Sequence, residues 1–408
     1  MRTILKTMVA LILLAAASCV GQPVSNEAMN SVIDQSVLDS ATVLVVDSTD
    51  YRFEHLPDAN GMLVYKDSLL IVSRSFHAFG EPILSLYDLG NSMRHLGDYI
   101  PRGSDIDEME ACSIQVIGDE LFVNDCYYTK RYCTIDLRKP LLPADRLHLS
   151  HSGVEERGVT AVPFQDGLLV ENPQCYSNDE VGIHNDVPRL LFYRQGQCLT
   201  PQKHVTYQVA DVNTGADLHY NAAHHRVCFV SHLQPLVEFY DDSLQLVRRL
   251  TLPSDGAAKI HVGAARTTMH QQRARNDRAS AINATFEKTQ RVVGAGSQLH
   301  AFLCSAADDE YIYLVYCGKL FGFDFHTYPT YILVLDWNGM LVEAYQFNRW
   351  VQEISPSMER GNFYLTVYAD DTSDSAGMKL VKVSPQQPEQ TDSLMTDYRD
   401  SIRYACSR

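Results

Sequence analysis

Six short runs of branched and aromatic residues return along the chain, and this repetition limits the possible folds more than any other feature. The first residues of successive runs are 52, 47, 59, 85 and 51 positions apart. Most runs follow a turn such as Gln165-Asp166-Gly167, and turn residues before branched and aromatic residues are typical of strands. A period of about 40–50 residues is typical of repeat arrays and propellers. The runs are LLIVSR (Leu69–Arg74), LFVNDC (Leu121–Cys126), LLVENP (Leu168–Pro173), VCFVSH (Val227–His232), IYLVYC (Ile312–Cys317) and FYLTVY (Phe363–Tyr368).

Each run is followed by a second hairpin-like segment. Trp337-Asn338-Gly339-Met340 is the clearest of these, because Asn-Gly suits a tight hairpin turn. The repeating unit is therefore two strand–turn–strand segments, and four antiparallel strands repeated radially form a propeller blade. We predict an all-β fold, a six-bladed β-propeller of four-stranded antiparallel blades over residues 42–385. A large β-sandwich or two small β domains are the alternatives, but neither requires repeated hairpin pairs.

The sixth unit ends near Val383 and lacks a fourth strand before the polar tail of residues 386–408. Thr42–Val46 or Tyr51–Phe53 could supply that strand from the N-terminal side. We therefore expect an N-terminal strand to close the last blade, because closure removes exposed strand edges.

The N-terminus is typical of an exported lipoprotein. Arg2 and Lys6 precede an apolar run, Met8–Ala17, that is too short to span a bilayer. Small residues then lead to Cys19, the predicted lipidation site, as in a bacterial lipobox, although Ala16 stands where that pattern usually has Leu. The alternative is ordinary signal cleavage beside an incidental cysteine. We predict a signal peptide over 1–18 and a lipid-anchored linker over 19–41.

The residues after the cysteine favour an outer-membrane, periplasm-facing position. Val20 occupies the place where Asp would favour retention in the inner membrane. Residues 20–27 lack the acidic cluster associated with surface export. A lipid anchor attaches a protein to a membrane without making it span one.

Charge narrows the range of partners. Without Arg2 and Lys6, 32 basic residues stand against 50 acidic ones, a net charge of −18. Nucleic acids and anionic lipids need a positive field, so both are disfavoured as general partners. Small molecules, cations and proteins remain.

Nine cysteines remain beside Cys19, and none forms a C-x-x-C motif. Cys126 with Cys133 and Cys175 with Cys198 are possible disulfides. A cysteine can instead be a buried free thiol, and we expect this for four cysteines that lie in apolar strand contexts. They are Cys112, Cys228, Cys304 and Cys317.

The lipobox, together with six paired repeats that lack WD or kelch signatures, resembles the TolB-like six-bladed β-propeller lipoproteins of Bacteroidales. The resemblance covers about residues 42–385 and depends on pattern, not on an invariant motif. It implies a fold and a compartment more than an activity.

Loops that leave the second strand of each blade meet on one face of a propeller. We therefore predict a ligand-binding ring of polar side chains at the channel mouth. The alternative is that these side chains only solvate the mouth. They are Arg74, Asp125, Asn172, His232, Tyr316 and Tyr368.

The long interval between the fourth and fifth runs differs in charge from the rest of the protein. Residues 254–296 carry seven basic and three acidic side chains, a local charge of +4. We predict that this insertion docks an acidic partner or folds over the channel. A surface loop that pairs with the protein's own carboxylates is the alternative. The expected partner-binding residues are Arg266, Arg273, Arg275 and Arg278.

Catalytic and metal signatures are scarce. No G-x-S-x-G, H-E-x-x-H, Walker or dinucleotide-binding motif occurs. Asp-rich turns at 241–242, 308–310 and 370–371 could hold calcium, but none has the spacing of a recognised calcium loop. No cofactor is therefore predicted, and solvated turns are the favoured interpretation.

Two function classes remain. The favoured one is a non-catalytic propeller that binds a protein or a glycan in the cell envelope. The other is a propeller hydrolase or lyase with a metal or carboxylate–His site on the channel axis. Convergence of His232, Asp125 and one further carboxylate would favour the enzyme.

Overall fold

The protein is an all-β structure of small, mostly antiparallel sheets. The computed structural model describes residues 29–51, 59–74, 78–91, 93–125, 128–139, 147–154, 160–172, 187–200, 215–232, 234–254, 299–320, 328–368 and 378–386. Within these ranges the only helical segments are helix α1 (Gln35–Asp39) and a single 3-10 turn at Leu89–Asn91. No helix in the described ranges has the length and apolar character needed to cross a membrane.

The first three sheets each contain four consecutive antiparallel strands. The first sheet contains β3 (Ala59–Tyr65), β4 (Leu69–Arg74), β5 (Pro82–Asp88) and β6 (Arg94–Pro101). The second contains β7 (Ser113–Ile117), β8 (Glu120–Asp125), β9 (Arg131–Asp136) and β10 (Ser150–His151). The third contains β11 (Ala161–Phe164), β12 (Gly167–Glu171), β13 (Leu190–Arg194) and β14 (Gln197–Cys198).

The fourth sheet gains a strand from the N-terminal segment. Its antiparallel strands are β15 (Ala216–Asn221), β16 (Arg226–Ser231), β17 (Leu236–Tyr240) and β18 (Leu246–Thr251). Strand β1 (Met29–Val32) pairs with β18 in parallel, and Met29 lies opposite Arg248. Part of the segment predicted as a linker therefore belongs to a sheet.

The last sheet has eight strands and consists of two four-stranded units joined edge to edge. One unit contains β19 (Leu299–Ala307), β20 (Tyr311–Leu320), β21 (Thr330–Asp336) and β22 (Leu341–Phe347). The other contains β23 (Val351–Pro356), β24 (Phe363–Tyr368), β25 (Met378–Pro385) and β2 (Thr42–Tyr51). Strand β2 runs antiparallel to β25, with Leu44 opposite Pro385, and briefly parallel to β22. An N-terminal strand beside the last unit was expected from Thr42–Val46 or Tyr51–Phe53. Leu44–Val46 and Tyr51 pair with β25 as expected, whereas Thr42 and Val43 pair with β22.

Each repeated run of the sequence falls on the second strand of a four-stranded unit, on β4, β8, β12, β16, β20 or β24. These strands read as almost continuous buried runs; in β16, for example, the five residues from Val227 to Ser231 are all buried. A strand covered on both faces needs apolar residues at every position, which explains why the runs lack polar alternation.

Neighbouring sheets bury their apolar faces against each other in chain order. Ile83 and Leu86 of the first sheet share a core with Leu121 and Val123 of the second. At the other end of the chain, Tyr364 of β24 packs with side chains of the first sheet such as Met62. The first strands also contact one another: β19 contacts β15 and β23, and β3 contacts β23 and β7. Their inward side chains therefore meet at the centre, as in a propeller.

Candidate functional site

Polar side chains from the first strands meet at this centre. Asp217 and His219 both belong to β15, where residues two apart point to the same face of a strand. Ser305 belongs to β19, and Gln115 to β7. We call these residues, with His232 after β16 and Glu353 of β23, the central cluster.

Four members form a chain of hydrogen bonds. The Gln115 amide nitrogen lies 2.7 Å from His219 Nδ1 and also donates to the Leu218 carbonyl oxygen at 2.9 Å. His219 Nε2 lies 2.7 Å from Ser305 Oγ, and this hydroxyl donates to Asp217 Oδ2 at 2.7 Å. The chain links strands of three sheets and ends on a carboxylate.

The geometry assigns the His219 tautomer. The Gln115 amide must present its NH₂ group to the Leu218 carbonyl, so the same group donates to His219 Nδ1. The proton of the neutral ring is therefore on Nε2, which donates to Ser305. Burial lowers the pKa of His219 to about 4, so the ring is neutral at pH 7.

Asp217 and His232 form an ion pair with partly exposed side chains, although the Nε2 atom of His232 that faces Asp217 is itself buried. His232 Nε2 lies 3.1 Å from Asp217 Oδ1, and the two side chains are 30% and 26% exposed. Burial alone would raise the pKa of Asp217, but the positive charge of His232 holds it below its ordinary value. Burial would lower the pKa of His232, but the negative charge of Asp217 raises it. The carboxylate is therefore ionised and stabilises the imidazolium.

Glu353, the other carboxyl group of the cluster, differs from Asp217 in the direction of its pKa shift. Its Oε1 lies 3.6 Å from the point where a Cβ on Gly61 of β3 would stand, so the carboxyl group lies over the β3 backbone. Burial, followed by the negative charge of Asp217, raises the pKa of Glu353 to about 8. Two carboxyl groups of the cluster therefore differ in protonation state at pH 7.

The same contacts exclude two kinds of nucleophile. His219 donates its Nε2 proton to Ser305 and so cannot accept the hydroxyl proton, as the base of a serine triad must. Cys228 and Cys304 lie near Asp217, but burial raises the pKa of both thiols well above its ordinary value. They are therefore not thiolates at neutral pH.

Of the six residues predicted for the channel mouth, His232 belongs to the central cluster. Asp125 instead holds its own loop, accepting hydrogen bonds from the backbone of Glu110, Tyr128 and Thr129 and from the Thr129 hydroxyl. Asn172 donates to the Pro188 carbonyl oxygen. Both side chains are buried, which accounts for their internal partners.

The remaining predicted residues are also placed by local contacts where the structure describes them. Arg74 donates to the Tyr87 hydroxyl at 2.9 Å, and the buried Tyr316 hydroxyl donates to the Pro253 carbonyl oxygen. The side chain of Tyr368 lies outside the described residues, as do Cys19 and the insertion's Arg266, Arg273, Arg275 and Arg278. The ligand ring and the partner-binding insertion stay predictions.

The cysteines expected to be buried are buried, namely Cys112, Cys228, Cys304 and Cys317. Cys133 is a free thiol in the core, where burial raises its pKa. Its suggested disulfide partner Cys126 lies outside the described residues, as does Cys175 of the other suggested pair.

The carboxylates of two acidic turns accept hydrogen bonds from backbone amides of the same turn. Asp241 Oδ1 accepts from the amides of Ser243 and Gln245, and Asp308 Oδ1 accepts from those of Glu310 and Tyr311. Among the described residues no group of three or more His, Cys, Asp or Glu side chains could hold a metal ion. Residues 370–371 lie outside that part of the chain.

Sequence reasoning missed Asp217, Glu353, Ser305 and Gln115 because it took the second strands as the source of site residues. The available signal was in the first strands. In Ala216–Asn221 the inward positions carry Asp and His, although this strand precedes one of the most apolar runs of the chain. Ionisable residues that alternate in a strand and face inward predict a functional or structural polar centre.

Comparison with known proteins gives a likeness to solved structures. A protein of Bacteroides fragilis that is named as exported is 11% identical, with a TM-score of 0.49 over 88% of this chain and 100% of its own. A member of the DUF4221 family from Bacteroides vulgatus is 10% identical, with a TM-score of 0.47 over 85% and 97%. An auxiliary nutrient binding protein from Bacteroides ovatus is 10% identical, with a TM-score of 0.41 over 85% and 77%. These values are too low to assign a family or an activity.

No protein-family model matches the chain. No curated protein matches it either.

Proposed function

We propose that this protein is an envelope lipoprotein that binds a glycan or a protein segment at its central cluster. The carrying observation is the ion pair between Asp217 and His232 at 3.1 Å, which stays partly exposed where the first strands meet. Polar groups that converge from several sheets are a usual feature of a ligand site. Charged groups that served only the core would normally be covered.

The proposal includes a six-bladed propeller related to the TolB-like lipoproteins. Five sheets are consistent with six blades because the eight-stranded one divides into two four-stranded units at β2 and β22. The fourth blade then carries β1 as an additional strand. The lipobox-like segment ending at Cys19 supports the lipid anchor, and Val20 in place of Asp supports the outer membrane.

Binding is tested with two arrays, one of bacterial and host envelope glycans and one of envelope-protein peptides. The protein and its D217N/H232Q variant are compared with D166N, which changes an exposed carboxylate paired with Arg194. We expect hits that D166N keeps and that D217N/H232Q loses. Absence of hits, or hits that both variants keep, would contradict a binding role for the central cluster.

A second function is favoured by one observation. The cluster combines a carboxyl group held protonated, Glu353, with an ionised carboxylate, Asp217, and such a pair can supply an acid and a base. The sequence-based criterion named Asp125 as the partner of His232, but its partner is Asp217. A hydrolase or lyase is therefore the alternative to a binding module.

Analysis of the reaction products distinguishes a binding module from a hydrolase or lyase. Any glycan retained on the array is incubated with the protein and with E353Q, which preserves the shape and the hydrogen-bonding capacity of a neutral acid but cannot release a proton. Cleavage by the wild-type protein and not by E353Q would indicate catalysis. An intact glycan with equal retention by both proteins would indicate binding alone.

The anchor is tested separately from the site. Cys19→Ala should release the protein from washed membranes into the soluble periplasmic fraction, and the wild-type N-terminal peptide should carry the mass of a diacylglyceryl cysteine. An unmodified N-terminal peptide would exclude lipidation while leaving the binding proposal intact.

A further inference from the structure

We propose that the central cluster takes an uncharged, polyhydroxylated ligand such as the end of a neutral oligosaccharide. In this arrangement Asp217 is the fixed acceptor, and Gln115, His219 and Ser305 are positioning residues that hold it. The inference rests on the proposed function, because it names the class of ligand for the same site.

The first step of the argument is the direction of the hydrogen-bond chain. Each link donates towards Asp217: Gln115 to His219, His219 to Ser305, and Ser305 to Asp217 Oδ2. The direction cannot reverse, because the amide group of Gln115 that contacts His219 also donates to the Leu218 carbonyl oxygen. One oxygen of Asp217 is therefore committed to the protein, and Oδ1 faces His232.

The second step is charge. Asp217 and His232 lie 3.1 Å apart as an ion pair, so their charges offset each other, and burial favours the neutral acid of Glu353. An anionic ligand would meet Asp217 and a cationic ligand would meet His232 at close range. Either charged ligand would also lose its hydration without gaining a net opposite charge. A neutral ligand avoids both costs.

The third step is unused hydrogen-bonding capacity. His232 Nε2 is buried and makes no hydrogen bond, because the contact with Asp217 Oδ1 is poorly aligned. Glu353 has no hydrogen-bond partner in the part of the chain that the structure describes, and its acid form can both donate and accept. Buried polar groups are normally paired. Hydroxyl groups also donate and accept, so adjacent hydroxyls match this mixture of donors and acceptors.

The experiment compares neutral and charged versions of one sugar framework. Neutral glucose- and galactose-containing oligosaccharides, their amino-sugar analogues and their uronate analogues are titrated calorimetrically into the protein, S305A and S357A. Ser357 is the matched control, because its hydroxyl also donates to an aspartate, Asp67, at 2.9 Å outside the cluster. Loss of a hydrogen bond to a charged group should weaken neutral-sugar binding about tenfold in S305A. S357A should leave the affinity unchanged.

The outcomes separate this inference from the proposed function. Binding that D217N/H232Q abolishes but that favours the amino or uronate analogue keeps the proposed function and overturns the neutral class. Neutral-sugar binding that S305A leaves intact overturns the positioning role. If D217N/H232Q binds every ligand as the wild type does, the proposed function itself fails. Restoration of affinity by Ser305→Thr, which keeps the hydroxyl, supports positioning over a general packing effect.

Discussion

At the scale of the residue, the central cluster shows how the surroundings of two carboxyl groups of similar chemistry give them different pKa values. Asp217 has the Ser305 hydroxyl and the His232 imidazolium to stabilise its charge. Glu353 has no such donor among the described residues and stands over the backbone of Gly61. Burial without a donor favours the neutral acid, whereas burial beside donors and a cation favours the carboxylate.

Glu353 should make the stability of the protein depend on pH. Its pKa is about 8 in the fold against 4.5 ordinarily, so between these values the folded chain binds the proton more tightly than the unfolded chain. The free energy of unfolding should therefore fall as pH rises through this window, by an amount on the order of 5 kcal/mol from this residue.

Glu353→Gln removes the titration while keeping the neutral shape. In urea unfolding from pH 5 to pH 9, the variant should become progressively more stable than the wild type and level off above pH 8. The pKa of His232 is also raised by Asp217, so the difference between the two proteins is the quantity to measure. A difference that does not change with pH would show that Glu353 ionises normally.

At the scale of the element, β2 is shared by the two units of the eight-stranded sheet. It is hydrogen-bonded to β25 along most of its length and reaches β22 at Thr42 and Val43. An N-terminal strand that pairs with the last strands covers an edge that would otherwise be open. Closure therefore depends on side chains far from the rest of that sheet in sequence.

Leu44 and Val43 provide a matched test of this closure, because adjacent strand residues point to opposite faces. Leu44 is 4% exposed and packs with Tyr345, whereas Val43 is 36% exposed. Leu44→Ala should lower the free energy of unfolding by about 2–4 kcal/mol, and Val43→Ala by under about 1 kcal/mol. Urea unfolding measures both, and equal losses would contradict the role of β2 as a packed closing strand.

At the scale of the whole molecule, a buried ion triad connects the third and fourth sheets. Glu238 of β17 is fully buried, with Arg189 Nε 2.9 Å from Oε2 and Arg249 Nη2 2.7 Å from Oε1. Tyr240 donates to the same carboxylate at 2.6 Å. Arg189 immediately precedes β13, so the triad crosses the interface of two sheets that also share an apolar core.

Glu238→Gln should destabilise the whole fold, because it leaves two guanidinium groups near a neutral amide. The expected loss is about 3–5 kcal/mol in urea unfolding, the cost of breaking a buried pair. Asp166→Asn is the control: it breaks the exposed contact with Arg194 at 2.6 Å and should cost under about 1 kcal/mol. Similar losses in the two variants would indicate that the triad is not tightly coupled to sheet packing.

Much of the strand layout could be predicted from the sequence. The runs from LLIVSR to FYLTVY fall on the second strand of each unit because strands covered on both faces must be apolar at every position. The pairing of Leu44–Val46 with the last unit was also predictable, since a unit with three strands leaves an open edge. Strand β1 was missed because it has only four residues, three of them exposed, and these carry no apolar period.

The site was predictable only in part, and the reason is geometric. His232 was identified because it ends an apolar run, whereas Asp125 and Asn172 end similar runs and hold their own loops. Which polar side chains meet depends on the packing of one sheet against another, and sequence distance does not encode that: Gln115, His219 and Ser305 are about a hundred residues apart in succession. Local sequence patterns determined the strands of this protein. Which polar residues form the hydrogen-bond chain and the ion pair was decided only where those strands meet at one centre.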